Sequence, residues 1–277
     1  MLRRRVAALL VAGGLVGGVP PAPVSASEAA VPDPYPKAAA GYVVTVNGAV
    51  LWAHAADRAL PPASLTKIMT ALVLLDQWNP EASIDVSPLA AAVSGSRLGL
   101  KAGEQLRAGD ALTALLVASA NDACLALAEH AAGSVPAFVA RMNRKAEQLG
   151  LAVTRFRNPC GLDAEGHVSS AADLLRLSRA AMANVEFARI VSQAEAVVTT
   201  VGGRRFQLTS GNLLLGRVAG TVGIKSGFTH RAGKCLAALV RRGDDEVTII
   251  LLNAPNRWRS AAVLVDDAFA ALDASRR

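Results

Sequence analysis

The spacing of apolar residues changes twice along this 277-residue chain, from strand-like to helix-like and back again. Two β-rich runs, Tyr42 to Val46 and Ala49 to Trp52, flank Asn47-Gly48, a strong short-range hairpin signal. From Ser64 to about Trp78 the residues Ile68, Met69, Leu72, Leu75 and Trp78 recur at helical spacing behind Pro61-Pro62. Helical periods continue over Asp110 to Val117, Asp122 to Ala132, Pro136 to Leu149 with Gly150 after it, and Ala171 to Ala183 behind Ser169-Ser170. Past Glu195 strand patterns return over Ala196 to Val201, Arg205 to Leu208, Lys234 to Val240 and Glu246 to Leu252, and a last helix covers Ser260 to Leu272. Strand-forming ends around a helical middle imply an α+β fold. One antiparallel sheet is built from both chain ends, with flanking helices and a helical insert over about residues 68–190.

Composition narrows the setting. The chain is 52% hydrophobic, enough for a sizeable core, and carries 29 basic against 22 acidic residues. With 4% aromatics it lacks the stacking surfaces of a single-strand nucleic-acid binder, so no nucleic-acid partner is expected. Arg3, Arg4 and Arg5 precede an apolar run from Val6 to Val19, then prolines and the small residues Val24-Ser25-Ala26. This is the pattern of a secretory signal peptide over residues 1–26, and the run is shorter than the ~20 residues a membrane helix needs. The expectation is an exported chain, in the periplasm or cell-wall space, with no integral span after cleavage. A Pro/Ala-rich linker follows over 27–40, and the working domain over 41–277. The histidines His54, His130, His167 and His230 form no HExxH or similar pair, so neither a metal nor another cofactor is expected.

Three short motifs carry chemistry. In Ser64-Leu65-Thr66-Lys67 the spacing puts hydroxyl and amine on one helix face, where they can exchange a proton, and the helix N-terminus points N–H groups at developing negative charge. For Lys67 to act as a base it must be partly neutral, which burial and a second cation nearby can arrange. Ser119-Ala120-Asn121 breaks a helical period in an apolar neighbourhood. Lys225-Ser226-Gly227, ahead of a strand, offers charge and a hydroxyl to a terminal carboxylate, with a glycine that lets a substrate backbone lie close. Each alone is ambiguous; in this order they coincide poorly with chance.

Taken together these motifs resemble the low-molecular-mass penicillin-binding proteins, the serine-type D-alanyl-D-alanine carboxypeptidases and their endopeptidase relatives. The likeness runs from about Gly41 to Leu272 and extends to Leu100-Lys101-Ala102-Gly103-Glu104, to Asn158-Pro159-Cys160-Gly161-Leu162-Asp163 and to Gly166-His167. The resemblance implies Ser64 as acylated nucleophile, Lys67 as its base, and Ser119 and Asn121 as proton-relay and substrate-amide contacts. It implies that Lys225 and Ser226, with Gly227, Phe228 and Thr229, hold the substrate, and that the N–H groups of Ser64 and Phe228 form the oxyanion hole. The implied partners are peptidoglycan stem peptides ending in D-Ala-D-Ala, with β-lactams as covalent inhibitors. Ser226 replaces the usual threonine, Val222 stands where an acid is common, and Ser210 stands ahead of Leu213-Leu214 where many carboxypeptidases carry arginine.

A class A β-lactamase shares the motifs but deacylates through a Glu-activated water; Thr154 to Leu162 contains no glutamate, and Glu165 lacks the Leu-Asn that follows. A non-catalytic wall-binding module has no need of both Ser64 and Lys67. Carboxypeptidase action is favoured over cross-link cleavage. Of Cys124, Cys160 and Cys235, a Cys160–Cys235 disulfide with Cys124 free is one expectation, and three small buried thiols the other.

Overall fold

The computed structural model describes residues 33–277, so the expected leader and the first part of the expected linker lie outside the described residues. Gly41–Val46 (β1) and Ala49–His54 (β2) form the hairpin, and its turn has φ of 48° at Asn47 and 86° at Gly48. Both angles are left-handed, as a two-residue I′ turn requires. A 3₁₀ turn over Ala63–Leu65 leads into α1 (Thr66–Leu75). There follow β3 (Ser83–Asp85), α2 (Pro88–Ala91), β4 (Gln105–Arg107), α3 (Ala108–Val117), α4 (Asn121–Ala132), α5 (Val135–Gln148), α6 (Ala171–Met182) and α7 (Val185–Val191). The chain closes with β5 (Glu195–Thr199), β6 (Arg205–Thr209), β7 (Thr221–Thr229), β8 (Gly233–Arg242), β9 (Asp245–Leu252) and α8 (Arg257–Ser275).

Both chain ends contribute to one antiparallel sheet in the order β2-β1-β9-β8-β7. Alternate side chains point to opposite faces. Val43, Ala237, Leu239, Ile250 and Leu252 join the core shared with the helical middle of the chain. Tyr42, Val44, Leu236, Ala238, Val240, Ile249 and Leu251 pack against Ala261, Leu264, Val265, Ala268 and Phe269 of α8. With both faces covered, β8 is buried without a break from Cys235 to Val240. Tyr35 and Ala39, in the stretch that composition reads as a linker, pack on the α8 side.

The structure departs from the sequence reading at three places. Lys225-Ser226-Gly227 lies inside β7, not ahead of a strand; pairing with Ala237, Leu236 and Cys235 of β8 holds it extended despite its weak strand propensity. The β5–β6 hairpin forms its own two-stranded sheet rather than joining the main one, and β3 pairs with β4 inside the helical stretch. No single helix among the described residues is long and apolar enough to cross a membrane.

Candidate active site

The site begins at a turn that ordinary backbone does not favour. Ala63, the residue before Ser64, has φ of 49°, which costs ~1–2 kcal/mol for a residue with a side chain. The surroundings hold it there. The Thr66 hydroxyl donates to the Ala63 carbonyl at 2.8 Å. The Arg157 N–H donates to Nδ1 of His167 at 3.0 Å, which leaves Nε2–H to donate to Thr66 Oγ1 at 2.8 Å. His167 is buried, and desolvation pulls its pKa down to about 4, so the ring stays neutral. Gly161, at φ of 82°, lies so close that a Cβ there would sit 1.9 Å from the Ala63 carbonyl oxygen.

Lys67 follows on the first turn of α1, fully buried. Its Nζ lies 3.2 Å from Ser64 Oγ, 2.8 Å from Asn121 Oδ1 and 2.6 Å from the Cys160 carbonyl oxygen. Burial, and after it the charge of Lys225, holds its pKa well below the lysine range. Both means of neutralising a lysine that the sequence reading invoked are therefore present. Asn121 starts α4, and its Nδ2 donates to the Ser94 carbonyl at 2.7 Å, which fixes Oδ1 toward Lys67. The Cys160 carbonyl is presented by a turn that Asn158 folds: its Oδ1 accepts from the N–H groups of Cys160, Gly161 and Leu162. Thr70 on α1 donates to the Pro159 carbonyl at 2.6 Å and anchors the same turn.

Ser119 sits between α3 and α4 at φ of 61°. Its Oγ is buried and has no hydrogen-bond partner among the described residues.

The opposite wall is β7, which ends the sheet. A Cβ on Gly227 would lie 2.7 Å from the Ser64 nitrogen, so only a glycine lets the strand approach the nucleophile turn this closely. Lys225 is buried, and desolvation, then the Arg257 guanidinium, pulls its pKa down to about 7. Its Nζ donates to the Ser226 carbonyl at 3.0 Å. The Ser226 hydroxyl donates to the Gly211 carbonyl at 2.6 Å, and the Thr229 hydroxyl to Asp163 Oδ1 at 2.6 Å. Phe228 is 56% exposed, its ring edge-on to His230.

Of the residues that the sequence pointed to, Ser64, Lys67 and Asn121 meet directly, Gly227 meets them through backbone, and Lys225 acts on Lys67 through charge. The side chains of Ser226 and Thr229 are engaged elsewhere. Sequence reading missed Arg257, which donates from Nη1 to the Gly227 and Cys235 carbonyls. It also missed the Ala63 backbone and the roles of Asn158, Cys160 and His167, although the Asn158 to Asp163 and Gly166-His167 segments drew attention. The expected Cys160–Cys235 disulfide is not the one formed: Cys160 pairs with Cys124, and Cys235 is a buried free thiol. A cavity of about 450 Å³, lined by Trp78, His130, Arg141 and Arg144 among others, lies at the other end of α1 and includes none of these groups.

A serine and a buried lysine of depressed pKa one turn apart, beside an open strand edge, form an arrangement suited to serine acyl transfer. Comparison with known proteins agrees. The family described as D-alanyl-D-alanine carboxypeptidase matches residues 28–256, and the chain belongs to it. It is 34% identical over 231 residues to the D-alanyl-D-alanine carboxypeptidase DacF of Bacillus subtilis, covering 80% of this chain and 59% of that protein. It is 34% identical over 232 residues to DacB2 of Mycobacterium tuberculosis, covering 81% and 79%. A D-alanyl-D-alanine endopeptidase of Pseudomonas aeruginosa is 32% identical over 221 residues, covering 76% of this chain and 69% of that protein. Among solved structures, a D-alanyl-D-alanine carboxypeptidase from M. tuberculosis superposes with a TM-score of 0.80 at 33% identity, covering 88% of this chain and 95% of that one. A Streptomyces DD-transpeptidase superposes at 0.81 and 29% identity, covering 87% and 100%. The chain spans little more than half the length of the Bacillus relative.

Proposed function

We propose that the chain is an exported serine DD-peptidase that removes the terminal D-Ala from peptidoglycan stem peptides. Neutral Lys67 takes the Ser64 proton as Oγ attacks the penultimate D-Ala carbonyl carbon. The oxyanion is held by the N–H groups of Ser64 and Phe228, and the proton passes from Lys67, by way of the unpartnered Ser119 hydroxyl, to the departing D-Ala nitrogen. Water then attacks the acyl-serine ester, giving its proton to Lys67; the acyl C–Oγ bond breaks, Lys67 returns the proton to Ser64 Oγ, and the shortened stem leaves with a new carboxyl terminus. The charged form of Lys225 pairs with the substrate's terminal carboxylate, and the Ser226 hydroxyl turns its donor from the Gly211 carbonyl to that carboxylate. The stem backbone lies along the edge of β7.

The observation that carries this reading is Lys67 itself: fully buried, depressed in pKa and 3.2 Å from Ser64 Oγ. The test is incubation with a fluorescent penicillin. A label that survives denaturation and maps to Ser64 is expected, together with release of D-Ala from a pentapeptide; no covalent label would end the proposal. The name of the Pseudomonas relative supports cross-link cleavage as a second reading, because both reactions acylate the same serine. Conversion of cross-linked dimers to monomers without D-Ala release from pentapeptide would put the endopeptidase reading first.

A further inference from the structure

The Cys124–Cys160 disulfide joins the two elements that supply the carbonyl acceptors of Lys67. Asn121 and Cys124 are three residues apart on α4 and share one helix face, and Cys160 is both the disulfide partner and the residue whose carbonyl receives Lys67. A neutral amine has two N–H donors and one lone pair. With the donors spent on Asn121 Oδ1 at 2.8 Å and the Cys160 carbonyl at 2.6 Å, the lone pair is left facing Ser64 Oγ at 3.2 Å. That is the orientation in which the amine accepts the serine proton. It holds only while both acceptors keep their places. Asn158 shapes the turn that carries Cys160, and Thr70 anchors it to α1, but the bond from that turn to α4 is the disulfide, with the two Cα atoms 6.0 Å apart.

From this juxtaposition we infer that the Cys124–Cys160 disulfide is a positioning element of the acylation step: it clamps the two acceptors that aim the lone pair of Lys67 at Ser64. The inference rests on the acyl-serine reading above. It makes the disulfide a determinant of the chemical step, with carboxylate binding on β7 left nearly untouched. The reduced protein is then a slow enzyme that still binds.

The experiment compares the oxidised protein, the same protein reduced by dithiothreitol, and Cys124→Ala/Cys160→Ala. Reduction passes two electrons and two protons from the dithiol to the protein, giving two cysteine thiols and the cyclic disulfide of the reagent. Alkylation of the denatured, unreduced protein should modify one cysteine, with the peptides of Cys124 and Cys160 linked. Stopped-flow acylation by a fluorescent penicillin, fitted to a dissociation constant K and a rate constant k2, should show k2 lower by tenfold or more in both disulfide-free forms. K should change less than threefold, and re-oxidation of the reduced protein should restore k2. A purely structural bond moves the melting temperature and leaves k2 alone well below it. Unchanged k2, three alkylated cysteines, or a linkage through Cys235 overturns the inference. If the double variant does not fold, the reduced protein is measured at a temperature where its near-UV circular dichroism is native, and loss of fold there too makes the bond a general staple and also overturns it. An oxidised protein that takes no label sinks the acyl-serine reading itself, an outcome distinct from a labelled protein whose k2 ignores the disulfide.

Discussion

The two walls of the groove are built on different principles. The wall that carries Ser64 and Lys67 is made of turns and helix ends, with left-handed backbone at Ala63, Ser119 and Gly161, and Lys67 held on three sides. The β7 wall is strand, in register with β8 from Gly223 to Thr229, and its polar side chains rest on neighbouring backbone or on the Asp163 carboxylate. Groups that must act without reorganising in the transition state are fixed beforehand, at a backbone cost that the surrounding hydrogen bonds hold in place. On the proposed reading, the groups that would recognise a substrate keep contacts that a carboxylate can displace. Substitutions on the first wall should therefore act on the rate of acylation, and those on the second on binding.

The largest effects fall at the centre of the first wall. Ser64→Ala should abolish labelling by penicillin, and Lys67→Ala should slow acylation by on the order of 10²–10⁴-fold while the protein still melts cooperatively. The double variant should be no worse than Ser64→Ala alone, since base and nucleophile act as a unit. Retained labelling in the Ser64 variant would remove the contrast between the walls altogether.

Gly161→Ala comes next. It sets a Cβ against the Ala63 carbonyl and forces alanine into left-handed backbone, so both acylation rate and melting temperature should fall. A variant with full acylation would mean that the Ala63 conformation does not matter to the chemistry.

On the second wall, Lys225→Ala should weaken binding of carboxylate-bearing β-lactams far more than it lowers k2 at high pH. A sharper consequence concerns Lys67. The charge of Lys225 is one of the two causes that depress the Lys67 pKa, so removing it raises that pKa and moves the acidic limb of k2 to higher pH. A limb that stays put would sever the electrical link between the walls.

The smallest effect is expected at His167, which reaches Ser64 only through Thr66 and Ala63. His167→Ala should lower k2 several-fold and leave K unchanged, and His167→Gln, which can keep a donor toward Thr66, should recover part of the loss. A change in K with k2 intact would place His167 in binding instead.

Much of this was legible in the sequence, and the reasons differ by element. Asn47-Gly48 announces its hairpin because few other pairs accept two left-handed residues in succession. Ser64 and Lys67 are legible because three-residue spacing on a helix is itself a contact rule. Lys225-Ser226-Gly227 was misplaced ahead of a strand because its residues are poor strand formers, and only the ladder to β8 makes them extended. The disulfide was mispaired because chain order carries no distance: Cys124 and Cys160 meet only after α4 and the Asn158 turn converge on Lys67. The left-handed Ala63 left no trace, since alanine is not a residue that advertises that conformation; the glycine that permits it is 98 positions away in the sequence, at Gly161 (161 − 63).

The central claim is that Lys67 is neutral at working pH and is the base for Ser64. The pH dependence of k2 for acylation by a β-lactam, followed in the oxidised protein from pH 4 upward, tests it most directly. Lys67 is depressed well below the ordinary lysine value of 10.5, so k2 should rise with a single proton dissociation well below that value, and this limb should vanish in Lys67→Ala. A k2 that keeps climbing into the ordinary lysine range, or a limb that survives in Lys67→Ala, would contradict the account.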